Sequence, residues 1–362
     1  MALRLVAAAK TDPGLQREQN EDACYELVSA ANPASGLFVV ADGMGGYHAG
    51  EIASQLAVET ISAELLPLLA PRSTQPTMRL KRRKSGRKEK AADVAPEAAE
   101  ITSVPEAGTD VAAAAATTPS AAADGATTDT AGDMGKDASD GAASDGAASA
   151  GAASAAHDGD LDPPSAGGAP TQQLAEALAM EHYGERLREA VEHSSEVIVQ
   201  YGQDHSDARG LGSTVTAALV IDGQVFIANV GDSRTYLLRD GELRRITRDH
   251  SLVERLVEAG QIEPDEVYDH PNRNLIYRSL GAGRADVEVD LFSDTLRPGD
   301  ALLLCSDGLW EMVRDPDMTR ILVGAREPAA ACDLLIDEAN EHGGEDNITA
   351  VLVRCEDASD AG

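Results

Sequence analysis

Between Pro71 and Thr171 the chain runs for about 100 residues without a single Phe, Tyr or Trp. Ala, Gly, Ser, Thr, Asp and Pro dominate there, with near-repeats such as "ASDGAASDGAASAGAAS". A segment with so little apolar surface cannot offset the entropy lost on ordering, so residues 72–170 read as a low-complexity, disordered insert. It opens on a basic cluster, "RLKRRKSGRKEK", read as a solvated, charged linker; docking to a partner or a membrane is the alternative. What remains is about 262 residues, enough for one core. The expectation is a single domain over residues 1–355, interrupted by 72–170, with a short tail at 356–362.

The formal charge is -32, from 62 acidic and 30 basic residues. Most of it, about -27, belongs to the part outside the insert. Such a field repels nucleic acid and anionic lipid, so neither is expected as a partner of the folded body. It is compatible with a site that gathers divalent cations. The four cysteines, Cys24, Cys305, Cys332 and Cys355, show no CxxC spacing. Cys305 and Cys355 follow aliphatic runs, where a free thiol acts as a small hydrophobe, as in a reducing compartment. No apolar run is read as approaching the roughly 20 residues needed to span a bilayer. The apolar start "MALRLVAAAK" is too short for a signal peptide. These points make a cytoplasmic protein the expectation.

Periodicity places the elements. "LRLVAAAKT" and "GLFVVAD" read as strands, the second almost continuously apolar and therefore buried. "AGEIASQLAVETISAELLPLL" has helical spacing and a proline near its end. "QLAEALAMEHYGERLREAVEHSSEVIVQYG" is a second long helix, with Gly184 as a candidate break. Short strands follow, and the Asp-Gly pairs at 222–223 and 240–241 signal hairpins. "DHSLVERLVEAG" and "PAAACDLLIDEANEHG" read as helices, and "NITAVLVRC" as the last strand. Helices in two groups around mostly antiparallel strands predict a layered protein that is not doubly wound.

Four aspartates share one local context. Asp42 ends "GLFVVAD", Asp232 ends "VFIANVGD" and Asp307 ends "ALLLCSD"; Asp346 precedes the last strand. Each sits where a rigid apolar strand meets a loop, which is how a scaffold aims functional groups. One such aspartate is an ordinary turn residue. Four of them, with Glu21 and Asp22 in "QREQNEDACYE", are hard to explain as independent turns. The adjacent pair need not share a role, since neighbours on a strand face opposite ways. Carboxylate oxygens with few histidines suit Mg²⁺ or Mn²⁺ over zinc. Gly43 allows close backbone approach, and a carbonyl can serve as a ligand. Arg17 could grip a phosphate with its planar fork. The chemistry suggested is hydrolysis of a phosphate ester by water.

The motifs "TDPGLQREQNED", "LFVVADGMGGYHAGEIAS", "GSTVTAALV", "ANVGDSRTYLL", "LLLCSDGLWEMV" and "GEDNITAVLV" resemble, in order, those of the bacterial protein phosphatase 2C family. The resemblance implies an α+β, four-layer α-β-β-α sandwich of two antiparallel sheets flanked by helices. It implies two Mn²⁺ or Mg²⁺ ions and activity on phosphoserine and phosphothreonine in proteins. By that resemblance Asp42 bridges both metals, the Gly43 carbonyl and Glu21 serve one, and Asp307 and Asp346 complete the other. Asp22 and Asn347 match positions that orient water, Arg17 matches the phosphate-binding arginine, and Asp232 with Asp307 matches a weaker third metal site. Expected partners are phosphorylated proteins, targets of bacterial Ser/Thr kinases, met by a monomer. Eukaryotic relatives carry a histidine where this chain has Met44; the nearest histidine here is His48. His250 is expected to cap or pack, and Leu256 to Gly283 matches the family's flap beside the site. The alternatives are a phosphatase of small anti-sigma antagonist phosphoproteins and a phosphoprotein-binding pseudophosphatase.

Overall fold

Strand periodicity decides the architecture, because successive side chains face opposite sides and each apolar face needs a cover. The computed structural model describes residues 3–45, 49–70 and 169–360. The expected insert, apart from its last two residues, and His48 lie outside the described residues. The strands are β1 (Leu3–Asp12), β2 (Asp22–Val28), β3 (Gly36–Met44), β4 (Gly212–Ser213), β5 (Val215–Ile221), β6 (Gln224–Val230), β7 (Arg234–Arg239), β8 (Glu242–Arg245), β9 (Leu280–Gly281), β10 (Asp290–Thr295), β11 (Ala301–Cys305) and β12 (Ile348–Asp357). The helices are α1 (Ala49–Leu65), α2 (Ala169–Asp204), α3 (Leu252–Glu258), α4 (Asp307–Trp310), α5 (Asp315–Gly324) and α6 (Pro328–Glu341).

All pairings are antiparallel. One sheet runs β1-β12-β11-β7-β8; the other runs β10-β6-β5-β3-β4-β9, with β2 on β3. The two inner faces meet through Phe38 and Val40 from one sheet and Leu302, Leu304, Val351 and Val353 from the other. The intervening residues of the same strands face outward to helices. Leu37, Val39 and Ala41 pack with Ala53, Ile61 and Leu187 of α1 and α2. Leu303 and Cys305 pack with Met318, Leu335 and Ile336 of α5 and α6. This is the four-layer sandwich the resemblance implies, and it explains why "LFVVA" is apolar without alternation.

The Asp-Gly signals hold: Asp222 and Gly223 lie at φ 52° and 81°, Asp240 and Gly241 at 54° and 83°, closing β5–β6 and β7–β8. The break at Gly184 does not occur, since α2 runs unbroken. A helical glycine costs about 1 kcal/mol, less than the roughly 1.5–3 kcal/mol from fully burying even one side chain such as Leu187 or Ile198. Sequence periodicity also missed α5, a short helix that Pro316 starts. One further correction concerns apolar length. Ala49–Leu69 is long and apolar enough, by length and composition, to cross a membrane, with a mean hydropathy of 1.3. That character is used inside the fold, where Ala53, Ala57, Ile61 and Leu65 of α1 are wholly buried. Cys305, Cys332 and Cys355 are buried free thiols.

Candidate metal centre

The strand-end carboxylates of both sheets meet at one edge of the sandwich. Arg17, Glu21, Asp42, Gly43, Asp232, Asp307, Asp346 and Asn347 border a single cleft of about 290 Å³. Among the described residues, no His or Cys lines it, and Asp22 is not part of its lining.

Close backbone approach builds the Glu21 side. Gly43 N donates to Glu21 O at 3.1 Å, and Ser54 Oγ donates to the same carbonyl at 2.5 Å. A Cβ on Gly43 would fall 2.0 Å from Gly50 O, so only glycine fits. Gly50 serves similarly: a Cβ there would lie 2.6 Å from the Glu21 carboxyl carbon. The Glu21 carboxylate therefore rests against the first turn of α1, where the helix dipole favours an anion.

Asn347 spends its side chain on this loop. Its Oδ1 accepts from Glu21 N at 2.8 Å, and its Nδ2 donates to Pro13 O (3.0 Å) and Gln19 O (2.8 Å). Those bonds order the segment that carries Arg17 and Glu21. Asp22, paired with Asp42 in the antiparallel β2–β3 register, shares that residue's face of the sheet, opposite to its chain neighbour Glu21. Its Oδ2 accepts from Ser306 Oγ and Thr349 Oγ1, each at 2.7 Å, so it ties one sheet to the other. The neighbours Glu21 and Asp22 thus divide their labour by strand face.

Electrostatics are unfavourable on the floor of the cleft. Burial, then the charge of Asp307, pushes Asp42 well above the usual carboxylate range. Burial, then Asp232 and Glu311, does the same to Asp307. Burial lifts Asp22 and Asp232 to about 7. Oδ1 of Asp22, Oδ1 of Asp307 and Oε1 of Glu311 are buried without a hydrogen-bond partner. Unpartnered buried carboxylate oxygens among like charges are costly unless a cation answers them. The hard oxygen donors and these orphaned atoms fit a divalent ion such as Mg²⁺ or Mn²⁺. As they stand, however, no three His, Cys, Asp or Glu side chains among the described residues converge to hold one. Like charges repel, and two carboxylates are turned to arginines: Asp346 Oδ2 accepts from Arg17 at 2.6 Å, and Glu311 Oε2 accepts from Arg273 at 2.9 Å.

The rim differs. The Arg17 side chain is 50% exposed, with its guanidinium at the mouth beside Asp346. Arg273, from the segment matched to a flap, reaches Glu311 and Glu345, both at 2.9 Å. Asn274 and Ile276 of that segment border the cleft. His250 packs as expected, its Nδ1 accepting from Gly231 N at 3.0 Å and its Nε2 3.2 Å from Asp290. Burial lowers its pKa, which favours the neutral ring.

Sequence reasoning missed several supports. Thr214 N donates to Asp42 O at 2.8 Å, while its hydroxyl meets Ser233 Oγ at 2.7 Å, joining two carboxylate loops. Arg234 forks onto Asp249 and stacks 3.4 Å over Trp310. Both arginine and indole lay inside quoted motifs, but nothing in the sequence pairs them. Glu311 follows Asp307 by one helical turn, a spacing that could have drawn notice.

Comparison with known proteins adds relatives. The family model for protein phosphatase 2C matches residues 168–263. The chain is similar to the serine/threonine phosphatase stp of Listeria monocytogenes, at 44% identity over 167 residues, 46% of this chain and 66% of that protein. The match thus spans just under two thirds of the Listeria protein's length. It is also similar to a putative protein phosphatase 2C-type protein of Streptococcus pyogenes, at 40% identity over 170 residues, covering 47% of this chain and 68% of that one. Among solved structures, the catalytic domain of the serine threonine protein phosphatase PstP in complex with two manganese ions superposes with a TM-score of 0.59, at 27% identity, over 98% of this chain and 100% of that one.

Proposed function

The chain belongs to the protein phosphatase 2C family, and from that premise we propose that it is a metal-dependent serine/threonine phosphatase acting on phosphoproteins. The observation that carries the proposal is the gathering of Glu21, Asp42, Asp232, Asp307 and Asp346, from strand ends and the segments that flank them in both sheets, into one cleft with Arg17 at its mouth. Two Mn²⁺ or Mg²⁺ ions are the cofactor, and Asp42, the Gly43 carbonyl, Glu21, Asp307 and Asp346 would hold them. Asp232 with Asp307 would hold a third, weaker ion. When bound, such ions activate water and offset charge on the phosphoryl group at neutral pH.

The residues of the chain do the rest. Arg17, anchored to Asp346 and half exposed, receives the phosphate and orients it over the carboxylate floor. Water attacks phosphorus in line, the P–O bond to the serine or threonine breaks, and the leaving oxygen takes a proton to restore the hydroxyl. Asn347 keeps the Arg17–Glu21 loop in register through three backbone contacts. Asp22 locks the two sheets so that Asp42 and Asp307 keep their separation.

We read the substrates as targets of bacterial Ser/Thr kinases, the protein as a monomer and the compartment as the cytoplasm. The buried free thiols support that compartment. We also read the described residues as a single phosphatase domain that residues 72–170 interrupt, because α1 and α2 pack in one core across the interruption. The test is turnover of p-nitrophenyl phosphate and of a phosphothreonine peptide by the full chain. Turnover that requires Mn²⁺ or Mg²⁺ and is lost with chelator is expected. No turnover, or turnover indifferent to chelator, would sink the proposal.

A further inference from the structure

The loop that carries Asp232 is held on every side except at its carboxylate. Gly231 N donates to His250 Nδ1 at 3.0 Å, and Gly231 O accepts from His250 N at 2.9 Å. Ser233 Oγ meets Thr214 Oγ1 at 2.7 Å. The carbonyl of Asp232 itself accepts from Trp310 Nε1 at 3.0 Å. Among the described residues, no hydrogen bond from another residue holds its carboxylate, which borders the cleft. The aim of that carboxylate is therefore set through the backbone.

Trp310 is well placed to set it. It is the only tryptophan of the chain, and it is 1% exposed. Its ring is gripped from behind by Arg234, whose guanidinium lies 3.4 Å from the ring centroid. Arg234 cannot drift, because its Nε and terminal nitrogen fork onto Asp249 and another terminal nitrogen donates to Tyr236 OH at 2.9 Å. Tyr268 presses on the indole with centroids 6.2 Å apart. Trp310 also ends α4, the turn of helix that Asp307 begins. One helical turn and one hydrogen bond thus join Asp307 to Asp232.

We propose that Trp310 is a positioning residue, which through its indole N–H and its place on α4 fixes the spacing between Asp307 and Asp232 and so sets the affinity of the weaker cation subsite they share. The inference rests on the metal-centre reading above. It has a second consequence: an ion bound there changes the field at the indole, so the single tryptophan reports occupancy of that subsite by its fluorescence.

Trp310→Phe keeps an aromatic face for Arg234 and removes the only donor to the Asp232 carbonyl among the described residues. Calorimetric titration of the full chain with Mn²⁺ should resolve tight and weak binding, with the weak phase identified by its loss in Asp232→Asn. Trp310→Phe should weaken that phase about tenfold, the scale of one lost hydrogen bond, and leave the tight phase unchanged. Tyr236→Phe is the structural control, because it removes the other neutral partner of Arg234 without touching Asp232. It should lower the melting temperature while leaving both phases intact. In the wild-type chain, Mg²⁺ should shift tryptophan emission with the midpoint of the weak phase seen in a parallel Mg²⁺ calorimetric titration, and Asp232→Asn should abolish the shift. An unchanged weak phase in Trp310→Phe, equal losses in Trp310→Phe and Tyr236→Phe, or an emission shift that survives Asp232→Asn would overturn the inference. Should Trp310→Phe fail to fold, the emission titration of wild type against Asp232→Asn decides alone. Failure of the underlying reading looks different: no ion binds the wild-type chain at all, and both fall together.

Discussion

The floor and the rim of the cleft are built on opposite principles. On the floor, Asp42, Asp232 and Asp307 sit at the ends of buried strands, aimed by backbone hydrogen bonds and by Thr214 and Trp310, and Oδ1 of Asp307, like Oε1 of Glu311, is buried without a hydrogen-bond partner. At the rim, Arg17 and Arg273 are partly exposed, and their ion pairs cross between loops. The floor stores electrostatic cost in a rigid frame, while the rim spends favourable contacts on groups that can move. A buried, unpaired acid is a reason for an ion to bind. An exposed arginine with a single carboxylate partner exchanges that partner for a phosphate at little loss.

The floor should be the more sensitive region. Asp307→Ala is expected to lower kcat by about 10³-fold or more, the scale of several kcal/mol of charge stabilisation, while circular dichroism shows the fold intact. Asp346→Asn should also lose hydrolysis, with weaker Mn²⁺ binding by calorimetry. Near-wild-type turnover in either variant would remove the distinction between floor and rim.

Arg17→Ala should fall by less, about 10–100-fold in kcat/KM, because one charge-assisted contact is worth about 1.5–3 kcal/mol. Much of this should appear as a raised KM for a phosphopeptide, with Mn²⁺ affinity little changed. A large loss of Mn²⁺ binding would assign Arg17 to the floor instead.

The stored repulsion has a pH signature in the chelator-treated protein. Asp22 and Asp232 have pKa values lifted from 3.8 to about 7, chiefly by burial. A carboxyl raised in the folded state keeps its proton better there than in the unfolded chain. Its stabilisation is complete below 3.8 and is lost as pH rises through about 7. The melting temperature of the ion-free protein should therefore fall as pH climbs through that window, and saturating Mg²⁺ should remove the fall. A melting temperature that rises with pH in chelator would refute the stored repulsion.

The smallest effect is expected far from both regions. Replacing residues 72–170 by a short Gly/Ser linker should leave kcat on p-nitrophenyl phosphate unchanged, because every cleft residue lies outside that span. Loop closure costs only about 0.6 kcal/mol per doubling of length, so the melting temperature should hold or rise slightly. A collapse of either quantity would make the span part of the folded domain.

The sequence by itself determined what is local. Short apolar runs bounded by turn residues marked the strands, and Asp-Gly pairs with positive φ set two hairpins. Strand-end aspartates announced Asp42, Asp232, Asp307 and Asp346, because a rigid strand followed by a loop is legible within ten residues. Ordered motifs carried the sandwich. What only the tertiary structure decided lies across long separations. Thr349 and Asp22, 327 residues apart, share a hydrogen bond that locks the sheets, and Trp310 and Asp232, 78 apart, share the one that aims a carboxylate. Helix α2 continues through Gly184 because packing against the sheet outweighs a local propensity. The division of Glu21 from Asp22 needed the structure as well. Strand alternation says that two neighbours face opposite ways, but only the packed sheets say which of them faces the cleft.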